Sequence, residues 1–94
     1  MLDIKIGENS EICLTGRFDA SQVDKAKSVF STIDGSKTVD FNELDYISSA
    51  GLGVLLMTQK RLKDMGHQLI LKNMNKHIRE VFKYAGFDMI FQIE

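Results

Sequence analysis

The feature that most constrains this chain is a repeated change in the spacing of its apolar residues. In "EICLTGRF" (11–18), Ile12, Leu14 and Phe18 alternate with polar residues, which is typical of a half-buried strand. The next apolar residues, at positions 23, 26, 30 and 33, have the spacing of one helix face. The same change recurs twice further along the chain. The pattern therefore predicts strands that alternate with helices in one α/β domain.

The predicted element order is β-β-α-β-α-β-α-β. The predicted strands cover 2–6, 11–18, 37–41, 67–72 and 88–93, and the helices cover about 20–34, 50–65 and 76–85. The turn "GENS" (7–10) makes the first two strands a hairpin, and each later strand–helix–strand unit should place its strands in parallel. We expect one domain over 1–94, with a mixed sheet and helices packed on it.

Several residues are predicted to begin or end the helices. Asp19 or Ser21 can cap the first helix, and Gly35 should lie just past its end. Gly66 should stop the second helix. Asn75 should precede the third helix and Gly86 should follow it. The apolar faces are predicted to carry Leu52, Leu55, Leu56 and Leu62 in the second helix, and Ile78, Val81, Phe82 and Ala85 in the third.

Composition excludes several classes of function. The 94 residues have a formal net charge of −1 without a long basic run, which argues against direct nucleic-acid binding. The cluster Lys60, Arg61 and Lys63 is followed by Asp64, so a solvated helix face is favoured. No apolar run approaches the ~20 residues that span a bilayer. With no signal peptide at the N-terminus, no membrane insertion and a cytoplasmic location are expected.

No metal or cofactor is expected either. His67 and His77 lack the spacing of metal ligands, and neither has a cysteine neighbour. Cys13 is the only cysteine, so it is predicted to be a small, partly buried apolar residue. Asp40 and Asp45 precede the serines discussed next, but they form no recognisable metal cluster and are interpreted as surface and turn residues.

The stretch "LDYISSAGLGVLL" (44–56) is the candidate site. Ser48 or Ser49 should be the N-cap of the second helix, because its oxygen can accept from the free N–H groups of the first turn. Gly51 and Gly53 each cost ~1 kcal/mol in a helix interior, but they leave the first turn bare for a bound molecule. The helix dipole there favours an anion such as phosphate. From the residues alone, plain capping is favoured over phosphorylation.

Other chemistries fit this stretch less well. A serine hydrolase places its serine in G-x-S-x-G, whereas here the glycines follow the serines. "GLG" lacks the third glycine of a dinucleotide-binding loop, and no P-loop lysine is present. Val54 and Met57 lie off the leucine stripe of the second helix. They either pack on a neighbouring helix or form a partner-binding surface beside the serines, and the sequence does not separate these two interpretations.

Two motifs resemble the anti-sigma factor antagonists, the standalone form of the STAS domain, and the resemblance covers essentially the whole chain. "LTGRFD" (14–19) is similar to the family's L-T-G-x-hydrophobic-D, and "LDYISSAGLGVLL" is similar to its D-S-[ST]-G-L-G signature. "REVFKYAGF" (79–87) agrees with the family's third helix.

The resemblance implies a non-enzymatic partner-switching protein. Such an antagonist binds an anti-sigma factor that is also a serine kinase, is released when that kinase phosphorylates it, and is restored by a phosphatase of the PP2C type. The glycines align the phosphoserine with Ser49, and Ala50 follows where the family often has Ser or Thr. Ser48 stands where the family has aspartate, and it is the second candidate. Asp19 matches the aspartate of the kinase-contacting loop.

The expected partner surface combines the motif residues with their neighbours, and a monomer is expected. This surface comprises Asp19, Ser48, Ala50, Gly51, Gly53, Val54 and Met57. An alternative within the family is a small cytoplasmic STAS subunit that regulates a membrane transporter. A remote alternative from another class is a small serine hydrolase, which would turn over activated esters through Ser49.

Overall fold

The computed structural model describes all residues from 1 to 94, in five strands and three helices. The strands are β1 (Leu2–Ile6), β2 (Ile12–Phe18), β3 (Lys37–Ile47), β4 (Leu69–Lys72) and β5 (Gln92–Ile93), and the helices are α1 (Val23–Phe30), α2 (Ser49–Asp64) and α3 (Lys76–Tyr84). Short 3₁₀ turns cover Ala20–Gln22 and Phe87–Met89. The predicted element order is confirmed.

The strands form one mixed sheet in the order β1-β2-β3-β4-β5. β1 and β2 pair antiparallel as the predicted hairpin, and all later neighbours pair in parallel. The strand residues that point towards the helices are buried in one cluster of 21 side chains. Four phenylalanines (Phe41, Phe82, Phe87 and Phe91) join α3 to the sheet, mostly edge to face. The predicted mixed α/β architecture is therefore confirmed.

β3 is six residues longer than predicted. The sequence pattern missed these residues because the alternation of buried and exposed side chains is broken twice. Its pairing with β2 shifts between Cys13 and Thr15 and again between Gly16 and Arg17. At such a β-bulge two residues of one strand face one residue of the other, so the buried residues are no longer spaced by two. The buried residues of β3 are Val39, Phe41, Leu44 and Ile47. The strand consequently continues up to the candidate site.

α1 is shorter than predicted and ends at Phe30, not near Gly35. The Arg61 guanidinium of α2 donates to the carbonyl oxygens of Phe30 (2.9 Å) and Ile33 (2.8 Å), which satisfies acceptors that a longer helix would have used. Ile33 remains buried although it lies outside the helix. Gly35 is part of a bend, so its predicted position as a helix stop is wrong.

The residues predicted to stop the second helix and to flank the third are confirmed. Gly66 (φ 80°) follows α2, where its N–H donates to Lys63 O at 3.0 Å and His67 N–H donates to Leu62 O at 2.8 Å. These two bonds form a Schellman motif. Asn75 caps α3 by accepting from Ile78 N–H at 2.8 Å, and Gly86 follows with φ 75°.

Four smaller predictions are wrong. Ala85 lies just beyond α3 and is exposed, and Leu56 is only half-buried. The predicted strands at 67–72 and 88–93 are shorter, since β4 begins at Leu69 and Phe87–Met89 form a 3₁₀ turn before β5. No helix of the fold has the length and apolar character needed to cross a bilayer.

Candidate functional site

The candidate site lies where β2 and β3 end at the same edge of the sheet. Phe18 and Ile47 are register partners in this parallel pair, so the residues after them are neighbours. Ser48 N–H donates to Phe18 O at 2.9 Å, which ties the two chain segments together beyond the last paired residues. Asp19 and Ser48 therefore follow the ends of neighbouring strands at this edge.

Ser48 is the N-cap of α2. Its backbone is extended (φ −89°, ψ 169°), and its Oγ accepts a hydrogen bond from Gly51 N–H at 3.1 Å. Its carbonyl oxygen accepts from Leu52 N–H at 2.9 Å. The sequence allowed either Ser48 or Ser49 to be the N-cap, and the geometry identifies Ser48 as the N-cap.

Ser49 is the first helical residue, and its side chain has a different environment. It is exposed, as is Ala50 after it, whereas Ser48 is half-buried. The Ser49 hydroxyl forms no hydrogen bond, and neither serine hydroxyl is bonded to a histidine or a carboxylate. Capping and exposure are thus divided between two adjacent serines, so a modification of Ser49 would leave the cap intact.

The two glycines of the first turn differ in their surroundings. Gly51 is buried, and a Cβ there would lie 3.0 Å from the Phe18 ring and 3.0 Å from Ile47 Cγ1. A Cβ on Gly53 would meet nothing within 4 Å. Of the two glycines, only Gly53 leaves the helix backbone open to another molecule. Gly51 instead lets α2 pack closely on the sheet.

Asp19 caps the 3₁₀ turn that leads into α1, not α1 itself. Its Oδ1 accepts from Ser21 N–H at 3.0 Å and from Ser21 Oγ at 2.5 Å. Gln22, which precedes α1, makes no capping bond with its side chain. The hydrogen bond from the Ser21 hydroxyl is the main reason why the pKa of Asp19 lies below its ordinary value. The Asp19 carboxylate therefore stays ionised to a lower pH than an ordinary aspartate.

Val54 and Met57 are one turn apart but have opposite environments. Val54 is 3% exposed and belongs to the core, so for this residue the interpretation as a packing residue is confirmed. Met57 is 63% exposed. Of the two, only Met57 offers apolar surface to another molecule.

Asp40 and Asp45 do not contribute to a metal site. Asp40 Oδ1 accepts from Asn42 N–H (2.9 Å) and Asn73 Nδ2 (3.1 Å), which holds the β-bulge and the end of β4 together. Asp45 is exposed in the second irregular part of β3. No three His, Cys, Asp or Glu side chains are grouped so that they could hold a metal ion.

Gln59 is a buried residue that the sequence analysis missed. It is 1% exposed, and its Nε2 donates to Ile90 O at 2.9 Å while its Oε1 accepts from Leu69 N–H at 2.8 Å. It therefore links α2 to β4 and to the segment before β5. The only available signal was that Gln59 lies four residues after Leu55 and three before Leu62, on the apolar face of the helix.

Comparison with known proteins places these features in a family. The family model described as "Mlab, STAS domain" matches residues 5–92. BtrV of Bordetella bronchiseptica, by name a candidate anti-sigma factor antagonist, is 40% identical over 74 residues, which are 79% of this chain and 58% of BtrV. The chain thus spans little more than half the length of that relative.

Two further proteins are similar over most of their length. The anti-sigma-B factor antagonist of Listeria monocytogenes is 26% identical over 91 residues, or 93% of this chain and 80% of that protein. The anti-sigma factor antagonist SpoIIAA in its unphosphorylated form superposes with a TM-score of 0.73 at 18% identity, covering 100% of this chain and 87% of SpoIIAA. Because the family model matches nearly the whole chain, the protein belongs to the STAS domain family.

Proposed function

We propose that this protein is an anti-sigma factor antagonist that binds an anti-sigma factor with serine kinase activity. Phosphorylation of Ser49 switches it off, because the phosphorylated form no longer binds that partner. The exposed, unbonded Ser49 hydroxyl at the start of α2 is the observation that carries the proposal. The names of the relatives BtrV and the Listeria antagonist support the class of partner.

The geometry favours Ser49 over Ser48 as the acceptor. A kinase needs a hydroxyl that can approach the γ-phosphate, and the Ser48 Oγ is half-buried and engaged by Gly51 N–H. Phosphorylation of Ser48 would disrupt the N-cap, whereas phosphorylation of Ser49 adds an anion to the first turn and leaves the cap in place.

The switch acts at the interface with the partner. A phosphate adds about −1.5 to −2 charges at pH 7. Burying such an anion without a partner costs several kcal/mol. A penalty of ~3 kcal/mol weakens binding by about two orders of magnitude. In the free protein the phosphate costs little stability, because the N-terminus of α2 attracts it.

The binding surface comprises accessible residues around Ser49. These are the half-buried Asp19 at the neighbouring loop, the exposed Ala50, the open side of the half-buried Gly53, and the exposed Met57 further along α2. Three less accessible residues lie beneath this surface. Ser48 caps α2, Gly51 packs against Phe18, and Val54 is part of the core. The protein acts in the cytoplasm as a non-enzymatic monomer, and a PP2C-type phosphatase restores the binding form.

Capture of partners from the native cell tests the proposal, with wild type, Ser49→Ala and Ser49→Asp as baits. Wild type and Ser49→Ala should retain an ATP-binding serine kinase, and Ser49→Asp should retain much less. Incubation of the purified pair with ATP should place the phosphate on Ser49. Retention of a transporter ATPase instead of a kinase would contradict the proposal, as would phosphate found only on Ser48 or elsewhere.

A further inference from the structure

A groove between α1 and α2 has an apolar interior and a cationic rim. It encloses about 430 Å³. Phe30 and Val54 are its buried apolar lining, and the exposed Met57 forms part of its wall. Lys27 from α1 and Lys60 from α2 also line it, and none of its lining residues is acidic. The groove therefore combines an apolar contact surface with positive charge from two helices.

The two lysines have no partner within the protein, unlike the third cation of the groove. Arg61 donates to Phe30 O and Ile33 O and is thus held in place as the cap of α1. The structure contains one ion pair, between Lys25 and Asp3, so no carboxylate lies within 4.0 Å of Lys27 or Lys60. A solvated helix face explains why Lys60 is exposed. Lys27 is exposed as well, so the ammonium groups of both helices are accessible to a bound molecule.

The groove is continuous with the phosphorylation face of α2. Ser49, Gly53, Met57 and Lys60 follow one another at helical spacings of four, four and three, so they lie within about 80° around the helix. Met57 lies about 12 Å along the axis from Ser49. A protein bound over Ser49 and Gly53 would reach the groove without leaving this face.

We infer that the groove binds an acidic segment of the partner protein. Two carboxylates of that segment pair with Lys27 and Lys60, and an apolar side chain between them contacts Met57. That the segment belongs to the anti-sigma factor rests on the proposed function. A nucleic acid or an anionic membrane fits less well, because the chain has a net charge of −1 and the groove interior is apolar.

Selection of short random peptides displayed on phage against the immobilised wild-type protein tests the inference. The enriched peptides should contain an apolar residue flanked by Asp or Glu. Their synthetic forms should bind Lys27→Glu/Lys60→Glu about tenfold more weakly than wild type by fluorescence anisotropy, because two ion pairs become repulsive. Lys76→Glu/Lys83→Glu makes the same charge change on α3, and it should bind like wild type.

Met57→Ala gives an independent readout, since an exposed side chain can be truncated without loss of the fold. It should weaken peptide binding while the melting temperature stays close to that of wild type. Enrichment of neutral or basic peptides, no enrichment at all, or equal binding by Lys27→Glu/Lys60→Glu would overturn the inference. Tighter binding of single-stranded DNA or phosphatidylglycerol vesicles, lost in the same variant, would also overturn it. The selection needs neither kinase nor phosphate, so its failure leaves the Ser49 switch standing.

Discussion

Gly51 and Phe18 are so close that a Cβ on the glycine would lie 3.0 Å from the aromatic ring. This contact joins the first turn of α2 to the end of β2, and it positions the adjacent serines above the sheet edge. The start of α2 is therefore tightly packed on the sheet. This packing and the hydrogen bond between Ser48 N–H and Phe18 O fix the position of the chain before α2.

Gly51→Ala should lower the free energy of unfolding, although alanine is the better helix former. Overpacking typically costs 1–3 kcal/mol, which exceeds the ~1 kcal/mol gained from helix propensity. Gly53→Ala is the matched control. Its Cβ meets open space, so it should stabilise the protein by roughly 0.5–1 kcal/mol. Urea denaturation of both variants measures the difference, and equal effects at the two positions would contradict the packing argument.

Ser48→Ala should destabilise the protein by about 0.5–2 kcal/mol, because it removes the oxygen that accepts from Gly51 N–H. Ser49→Ala removes no hydrogen bond, so its free energy of unfolding should stay within about 0.5 kcal/mol of wild type. Thermal melting of the two variants compares the adjacent serines directly. If Ser49→Ala were the more destabilised variant, the assignment of the cap would be wrong.

Phosphorylation of Ser49 should change the fold very little. The helix dipole stabilises the phosphate by roughly 0.3–1 kcal/mol. The melting temperature of the phosphoprotein should therefore stay close to that of the unmodified protein. Backbone NMR signals should move only near residues 44–56. Large shifts far from that stretch would mean that the switch is conformational rather than electrostatic.

The carboxyl group of Asp19 should titrate below the ordinary aspartate pKa of about 3.9. Since the folded pKa is the lower one, the carboxylate stabilises the fold at pH values above about 4, and this contribution is lost as the pH falls through the folded pKa. Carboxyl NMR titration measures the midpoint. Ser21→Ala should raise the midpoint, because it removes the hydroxyl that is the main cause of the shift; an unchanged midpoint would refute that cause.

The Cys13 thiol should react slowly with iodoacetamide near neutral pH. Burial is the main reason why its pKa is raised, and the carboxylates of Glu11 and Asp40 raise it further. The thiolate is the reactive form, so the pH profile of alkylation should lie above that of a free cysteine. Glu11→Gln should move the profile to lower pH. A profile that matches free cysteine would show that the thiol is more exposed than in this structure.

The repeated change in apolar spacing was sufficient to predict the element order, the hairpin and the parallel pairs. Side-chain period and local caps are properties of neighbouring residues, so Asn75, Gly66 and Gly86 could be recognised at the ends of their helices. The stretch 44–56 could likewise be recognised as the start of a helix that offers hydroxyl groups.

Contacts between residues distant in the chain decided the rest. β3 continued to Ile47 across two register shifts against β2, and the Arg61 guanidinium bound the carbonyl oxygens at and beyond the end of α1. The Phe18 ring made Gly51 a packing residue, and the approach of α1 to α2 brought Lys27 to the same groove as Lys60. These outcomes depend on which surfaces meet in three dimensions, and the spacing of residues along one element does not contain that information.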